Sequence, residues 1–236
     1  MGKMTRMTRV HAIKVTPLSA IRGVYAVTPD CANTAELLRR VHLALLGGIS
    51  VLQYRNKTAN GALRFEQAQA LCQLAHEFSI PFIVNDNARL AADVGADGVH
   101  LGVADGGVTE ARALLGKDKF IGVSCYNRLP LAQAAVAAGA DYIAFGAFYP
   151  SSSKPLAVRA TPELLQHAHA EFAVPVVAIG GINPGNSVAL IQSGAHAVAV
   201  ISALFDATDI RLAAQNFAGV FTQHAVSAHT TKDLVT

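Results

Sequence analysis

Four times along this chain a helical stretch ends in glycine and an apolar strand begins within two residues: GGISVLQ at 47–53, VGADGVHL at 94–101, AGADYIAF at 138–145 and SGAHAVAV at 193–200. Glycine at such a point supplies the left-handed residue that stops a helix, so each echo marks the same helix-to-strand joint. The joints recur 44 to 55 residues apart, which leaves room for about two strand-helix units each. A chain built from one repeated unit of this kind pairs its strands in parallel, because every return to the sheet is a helical crossover.

The rest of the chain fills that frame. β-rich runs at GVYAVT, ISVLQYR, PFIVND, GVHLG, FIGVSC, YIAFG, PVVAIGG and AVAVIS alternate with stretches carrying apolar residues at three and four spacing, the last being RLAAQNFAGVFTQ. Eight such units predict an α/β fold, a (β/α)8 TIM barrel in a single domain. A doubly wound open sheet is the alternative, since pattern alone does not show closure. Residues 1–22 are expected to form a flexible N-terminal extension, 23–223 the (β/α)8 barrel catalytic domain and 224–236 a flexible C-terminal tail.

Composition narrows the class further. With 52% hydrophobic and 15% charged residues among 236, the chain can bury a large core. No apolar run approaches the roughly 20 residues of a membrane span, so no membrane partner is expected. The formal charge of +3 is concentrated in Lys3, Arg6, Arg9, Lys14 and Arg22, all ahead of the first acid, Asp30. The remainder is near neutral and gives no electrostatic footprint for nucleic acid. Residues 1–22 lack a signal-peptide pattern and only faintly suggest a transit peptide. Cys31, Cys72 and Cys125 form no CxxC or metal-like spacing, which fits a reducing, cytoplasmic setting. Oligomeric state is left open, a homo-oligomer included.

In a barrel the reactive groups sit where strands end. In VLQYRNK, 51–57, the side chains of Gln53, Arg55 and Lys57 share one strand face, expected to be that of Ile49 and Val51. Strand 3 ends in Asn85 and Asp86, the loop after strand 4 carries Asp105, and strand 5 gives Ser124. Strand 6 runs into SSSK, Ser151 to Lys154, strand 7 ends in Gly180 and Gly181, and strand 8 in Ser202. Three cations, two carboxylates and small donors, with no nucleophile-base pair, ask for an anionic small molecule. A diphosphate bridged by Arg, Lys and a hard divalent ion such as Mg²⁺ fits that set. The glycines of GGINPGNS, 180–187, and the helix opening behind them predict a phosphate nest. Two anion sites facing each other suggest a joining reaction.

The motifs QYRNK, VNDNARL, ADGVHLG running on to Asp105, IGVSC, FGAFYPSSSK, VVAIGGI and AVISAL occur in an order that resembles the thiamine phosphate synthase (thiamin-phosphate pyrophosphorylase) family over residues 23 to about 205. The resemblance implies a transferase that condenses 4-amino-5-hydroxymethyl-2-methylpyrimidine diphosphate with 4-methyl-5-(2-phosphoethyl)-thiazole, giving thiamine phosphate and pyrophosphate. By similarity Gln53, Tyr54, Arg55, Asn56, Lys57, Asn85, Ser124 and Lys154 would hold the pyrimidine diphosphate. Asp86 and Asp105 would bind Mg²⁺, and Ser151, Ser153, Gly181, Ile201 and Ser202 would meet the thiazole phosphate. Arg55, Lys57, Ser124 and Lys154 form the implied catalytic set, and residues 150–160 an implied lid. The attacking ring nitrogen has no proton to lose, so the chemistry needs no general base.

This chain departs from the family pattern at Val103 and Ala104, ahead of the second metal carboxylate, at Cys125 where Thr is common, and at Ser151 and Ser153 in place of a Thr pair. Plainer readings stand beside these. Asp86 alone suits a helix N-cap, and His100 reads as a packed histidine or one that supports a site residue from behind, rather than a catalytic one. Competing activities are a thiazole tautomerase-like barrel, a non-catalytic phosphate-ligand sensor and a sugar-phosphate isomerase. The last lacks a positioned acid-base pair.

Overall fold

The computed structural model describes residues 17–102, 104–150 and 159–230, and in it eight parallel strands close into a barrel in chain order. The strands are β1 (Gly23–Val27), β2 (Val51–Tyr54), β3 (Phe82–Asn85), β4 (Gly98–Leu101), β5 (Phe120–Ser124), β6 (Tyr142–Phe145), β7 (Val176–Ile179) and β8 (Ala197–Val200). Around them run α1 (Pro17–Ala20), α2 (Thr34–Leu46), α3 (Gly61–Glu77), α4 (Ala88–Asp93), α5 (Val108–Leu115), α6 (Leu129–Ala137), α7 (Pro162–Glu171), α8 (Pro184–Gln192), α9 (Ser202–Phe205) and α10 (Ile210–Thr230). The barrel is closed, so the open-sheet alternative falls away. None of the described helices is long and apolar enough to cross a membrane.

The pleat sorts side chains into two cores. Inside the barrel lie Tyr25, Val27, Val51, Ile83, Tyr142, Ala144, Val177, Ala197 and Ala199. The residues between them along each strand, such as Leu52, Tyr54, Val84, Ile143 and Val198, join a larger shell under the helices. Register keeps the interior set level: Tyr25 pairs with Val51 and Ala199, and Gly122 with both His100 and Tyr142. Gly122 is small of necessity, because a Cβ there would lie 2.0 Å from the Tyr142 ring.

Two expectations change. Ile49 belongs to the outer shell and not to the barrel interior, because it sits in the helix-to-strand joint, its N–H on the Ala44 carbonyl, before the strand pleat begins. The described secondary structure also runs past both expected limits. Ala20 and the fully buried Ile21 close the barrel floor beside Tyr25, so residues from 17 onward are structured, and α10 continues to Thr230.

The repeated joints have a shared function in the fold. Asp97 accepts from the Phe82 N–H at 2.9 Å, Asp141 from the Ile121 N–H at 2.8 Å, and His196 Nδ1 from the Val176 N–H at 3.1 Å. Each residue following Gly-Ala thus ties the floor end of one strand to that of its neighbour.

Candidate active site

At the opposite end the upper interior layer is polar. Gln53, 5% exposed, extends from β2 and donates through Nε2 to Asn85 Oδ1 of β3 at 3.0 Å. Ser124 ends β5, and its Oγ lies 2.9 Å from His100 Nε2 on β4. These three predicted residues therefore do meet at one mouth. His100, expected as a packed or supporting histidine, is the buried floor of that mouth. Burial holds its imidazole neutral, with the pKa lowered to about 4 against a smaller opposing pull from Asp105.

Above this layer β2 runs on into Arg55 and Lys57, and the end of β1 holds them. The fully buried Thr28 hydroxyl accepts from the Arg55 N–H at 2.8 Å and donates to the Arg55 carbonyl at 2.9 Å. Asp30 takes the Arg55 guanidinium at 3.1 Å and the Lys57 backbone N–H at 2.8 Å through the same oxygen. Sequence reasoning missed Thr28 and Asp30, since TPD after an apolar run reads only as a turn.

Asp86 follows β3 with φ of +62°, a left-handed conformation that costs a non-glycine residue energy. The helix-cap reading fails for it: Asn87 caps α4, accepting from the Leu90 N–H at 2.8 Å. The Asp86 carboxyl is instead turned toward Asp105. Its pKa is raised first by burial, then by a hydrogen bond and charge repulsion from Asp105, while Lys57 and Asn85 pull the other way. Asp105 also accepts from the Gly102 N–H at 2.8 Å. Two neighbouring carboxylates make a donor set that a hard divalent cation fits. Among the described residues no third His, Cys, Asp or Glu joins them, so such an ion would need oxygens from a ligand.

Across the mouth, Gly180 and Gly181 both have positive φ, at 103° and 65°. A Cβ on Gly181 would lie 2.4 Å from the Pro150 carbonyl, so only glycine permits this approach of the β7 loop to the β6 loop. Asn183 and Asn186 form a reciprocal capping box that occupies the α8 N-terminus. The four-residue α9, which has no side-chain cap, begins at Ser202 directly after Ile201, both half-buried. Loops after strands 7 and 8 with a short extra helix are the usual phosphate station of a barrel.

Other predicted residues sit elsewhere. Tyr54 is 2% exposed in the outer shell, its hydroxyl on Gln67 at 2.9 Å. Asn56 donates to the Cys31 carbonyl and to Gln67, and its Oδ1 receives Thr58 and Ala59. Alternation turns both away from the mouth, and their polar atoms are spent under α3. Cys125 is likewise buried in the outer shell, with its thiol pushed up to about 12 by burial, so the Thr-to-Cys departure leaves the mouth unaltered. Ser151, Ser153, Lys154 and Val103 lie outside the described residues, as does most of the implied lid.

A closed parallel barrel with cations and paired carboxylates on one side of its mouth and a glycine-built station on the other defines a class, the barrel enzymes that handle phosphorylated small molecules. The family model for thiamine monophosphate synthase matches residues 24–204, and the chain belongs to that family. It is 52% identical to the thiamine-phosphate synthase of Thiobacillus denitrificans over 199 residues, covering 84% of this chain and 94% of that one. The corresponding protein of Nitrosospira multiformis is 48% identical over 212 residues, covering 90% and 91%. Among solved structures, the thiamine phosphate pyrophosphorylase of Pyrococcus furiosus superposes with a TM-score of 0.77 at 32% identity, covering 85% of this chain and 96% of that one.

Proposed function

We propose that this enzyme joins 4-amino-5-hydroxymethyl-2-methylpyrimidine diphosphate to 4-methyl-5-(2-phosphoethyl)-thiazole, releasing pyrophosphate and forming thiamine phosphate, in the cytoplasm. The observation that carries this reading is the two-sided mouth. Gln53, Asn85 and Ser124 offer amide and hydroxyl groups sized for a flat heterocycle, with Arg55 and Lys57 one step above for its diphosphate. Gly181, Ile201 and Ser202 face them with backbone donors for a single phosphate. Asp86 and Asp105 would hold Mg²⁺, which supplies neutralisation of the diphosphate charge when bound. Arg55 and Lys57 then stabilise charge that grows on the leaving oxygens, the largest effect a site of this kind can exert. Positioning does the rest: the two rings are held in line, so that a neutral nitrogen meets the carbon losing its diphosphate.

The test mixes both substrates with Mg²⁺ and follows pyrophosphate. Release that needs both substrates is expected. Tight binding of either with no release would favour the sensor, and no product at all would end the synthase reading. Asp86→Asn should lower turnover by a hundredfold or more, the scale of losing one preorganised charge at the reacting centre.

A further inference from the structure

A continuous line of polar groups crosses the barrel interior beneath the mouth. The Tyr25 hydroxyl lies 2.8 Å from that of Tyr142, the Tyr142 hydroxyl 3.1 Å from His100 Nδ1, and His100 Nε2 2.9 Å from Ser124 Oγ. The line starts in the apolar interior and ends at the mouth. Both tyrosines are at most 1% exposed and His100 is 9% exposed. Among the described residues the Tyr25 hydroxyl meets no polar group other than that of Tyr142.

Counting protons gives the line a direction. Two tyrosine hydroxyl protons need two acceptors, and the contacts offer one tyrosine oxygen and His100 Nδ1. Were Nδ1 to carry hydrogen, it would donate to the Tyr142 oxygen. The single Tyr25–Tyr142 contact would then have to accommodate both hydroxyl protons, and one would be stranded without an acceptor in an apolar core, an arrangement that buried polar groups avoid. With Nδ1 bare, every proton has a place: Tyr25 donates to Tyr142, Tyr142 to Nδ1, and the Nε2–H to Ser124 Oγ.

We propose that Tyr25, Tyr142 and His100 form a one-way donor relay whose role is to occupy the acceptor side of Ser124 and aim the Ser124 proton into the mouth, as donor to an acceptor atom of the bound pyrimidine diphosphate. The identity of that ligand rests on the function proposed above; the polarity of the relay does not. The Ser124–His100 contact has the spacing of a nucleophile and its base, yet the tyrosines behind it leave His100 no lone pair facing Ser124. His100 and Tyr142 are positioning residues, acting on substrate only through Ser124. Gly122 belongs to the same device, because its missing side chain makes the space in which the Tyr142 ring stands between His100 and Tyr25.

The direct measurement is the tautomer. In the full-length protein labelled with ¹⁵N-histidine and free of substrate, two-bond ¹H–¹⁵N correlation should show His100 with a bare Nδ1 and a protonated Nε2 at neutral pH. The signal is assigned by its loss in His100→Gln. A protonated Nδ1 overturns the relay. Tyr142→Phe removes the donor to Nδ1, so its spectrum should shift toward a tautomer mixture, with kcat lowered about tenfold and the KM for the thiazole phosphate unchanged. Tyr25→Phe leaves Tyr142 free to donate and should keep the original tautomer. A Tyr142→Phe protein with the unaltered tautomer and full kcat would show the relay to be idle, and full turnover by Ser124→Ala would remove its substrate-side end. If the unaltered protein releases no pyrophosphate, the condensation reading fails on its own, while the spectrum still decides the relay.

Discussion

At the scale of single residues, the site is built from side chains whose own backbone is fixed elsewhere. Arg55 shows this best: Thr28 clamps both its backbone groups and Asp30 holds its guanidinium. Arg55→Ala should raise the KM for the pyrimidine diphosphate by one to two orders of magnitude, the value of about 1.5–3 kcal/mol for a charged hydrogen bond, and leave the KM for the thiazole phosphate nearly unchanged. Equal effects on both would contradict the division of the mouth. Thr28→Val keeps the shape but strands a buried N–H and a carbonyl, so it should cost on the order of 2 kcal/mol in urea denaturation. A neutral result would mean that water replaces the clamp. The sequence made Arg55 legible through alternation with Gln53 and Lys57. It did not make Thr28 legible, because its partner lies 27 residues away and a hydroxyl after a strand carries no pattern. Tyr54 and Asn56 were drawn in by contiguity with real mouth residues, and it is Gln67, from α3, that turns them to structural use.

At the scale of elements, the repeated glycine joints foretold the strand count and the parallel order, because stopping a helix and starting a strand is a local act that local sequence records. They did not disclose that Asp97, Asp141 and His196 tie neighbouring strands together, which depends on pairing across the sheet. Nor did periodicity show that α8 caps its own N-terminus while α9 has no side-chain cap, since that turns on side-chain geometry. β5 offers the sharpest test of element packing. Gly122→Ala places a methyl group 2.0 Å from the Tyr142 ring, with a strand on either side and no space to yield. Overpacking of this kind costs about 1–3 kcal/mol or more. The variant should lose at least that much stability and also shift the His100 tautomer signal, whereas an alanine accepted at no cost would mean that the interior layer is looser than its register implies.

At the scale of the whole molecule, the two ends of the barrel divide the labour. The floor gathers side-chain ties and a groove of about 1230 Å³ lined by residues such as Arg22, Ser50, His76, Asp97 and Lys119, while the candidate site residues converge at the mouth, where barrels of this kind carry their chemistry. The polar line that runs from the barrel interior to the mouth makes global stability depend on pH through His100. His100 titrates near 6.5 when unfolded and near 4 when folded, because burial disfavours the charged ring. Above pH 6.5 neither state is protonated and the fold keeps its full stability. As pH falls from 6.5 toward 4 the unfolded chain takes up a proton that the folded one refuses, so stability declines by up to roughly 1.4 kcal/mol per pH unit from this group. His196, also lowered by burial, adds to the decline with the same sign. Asp86, raised by burial and by Asp105, works in the opposite sense, since a folded carboxyl that holds its proton loses stability as pH rises. Urea midpoints across pH 7 to 4 should therefore fall steeply for the unaltered protein and more gently for His100→Gln, which begins less stable but lacks the largest of these protons. Parallel slopes for the two would show that His100 is protonated alike in both states, and would remove burial as the cause of its neutrality.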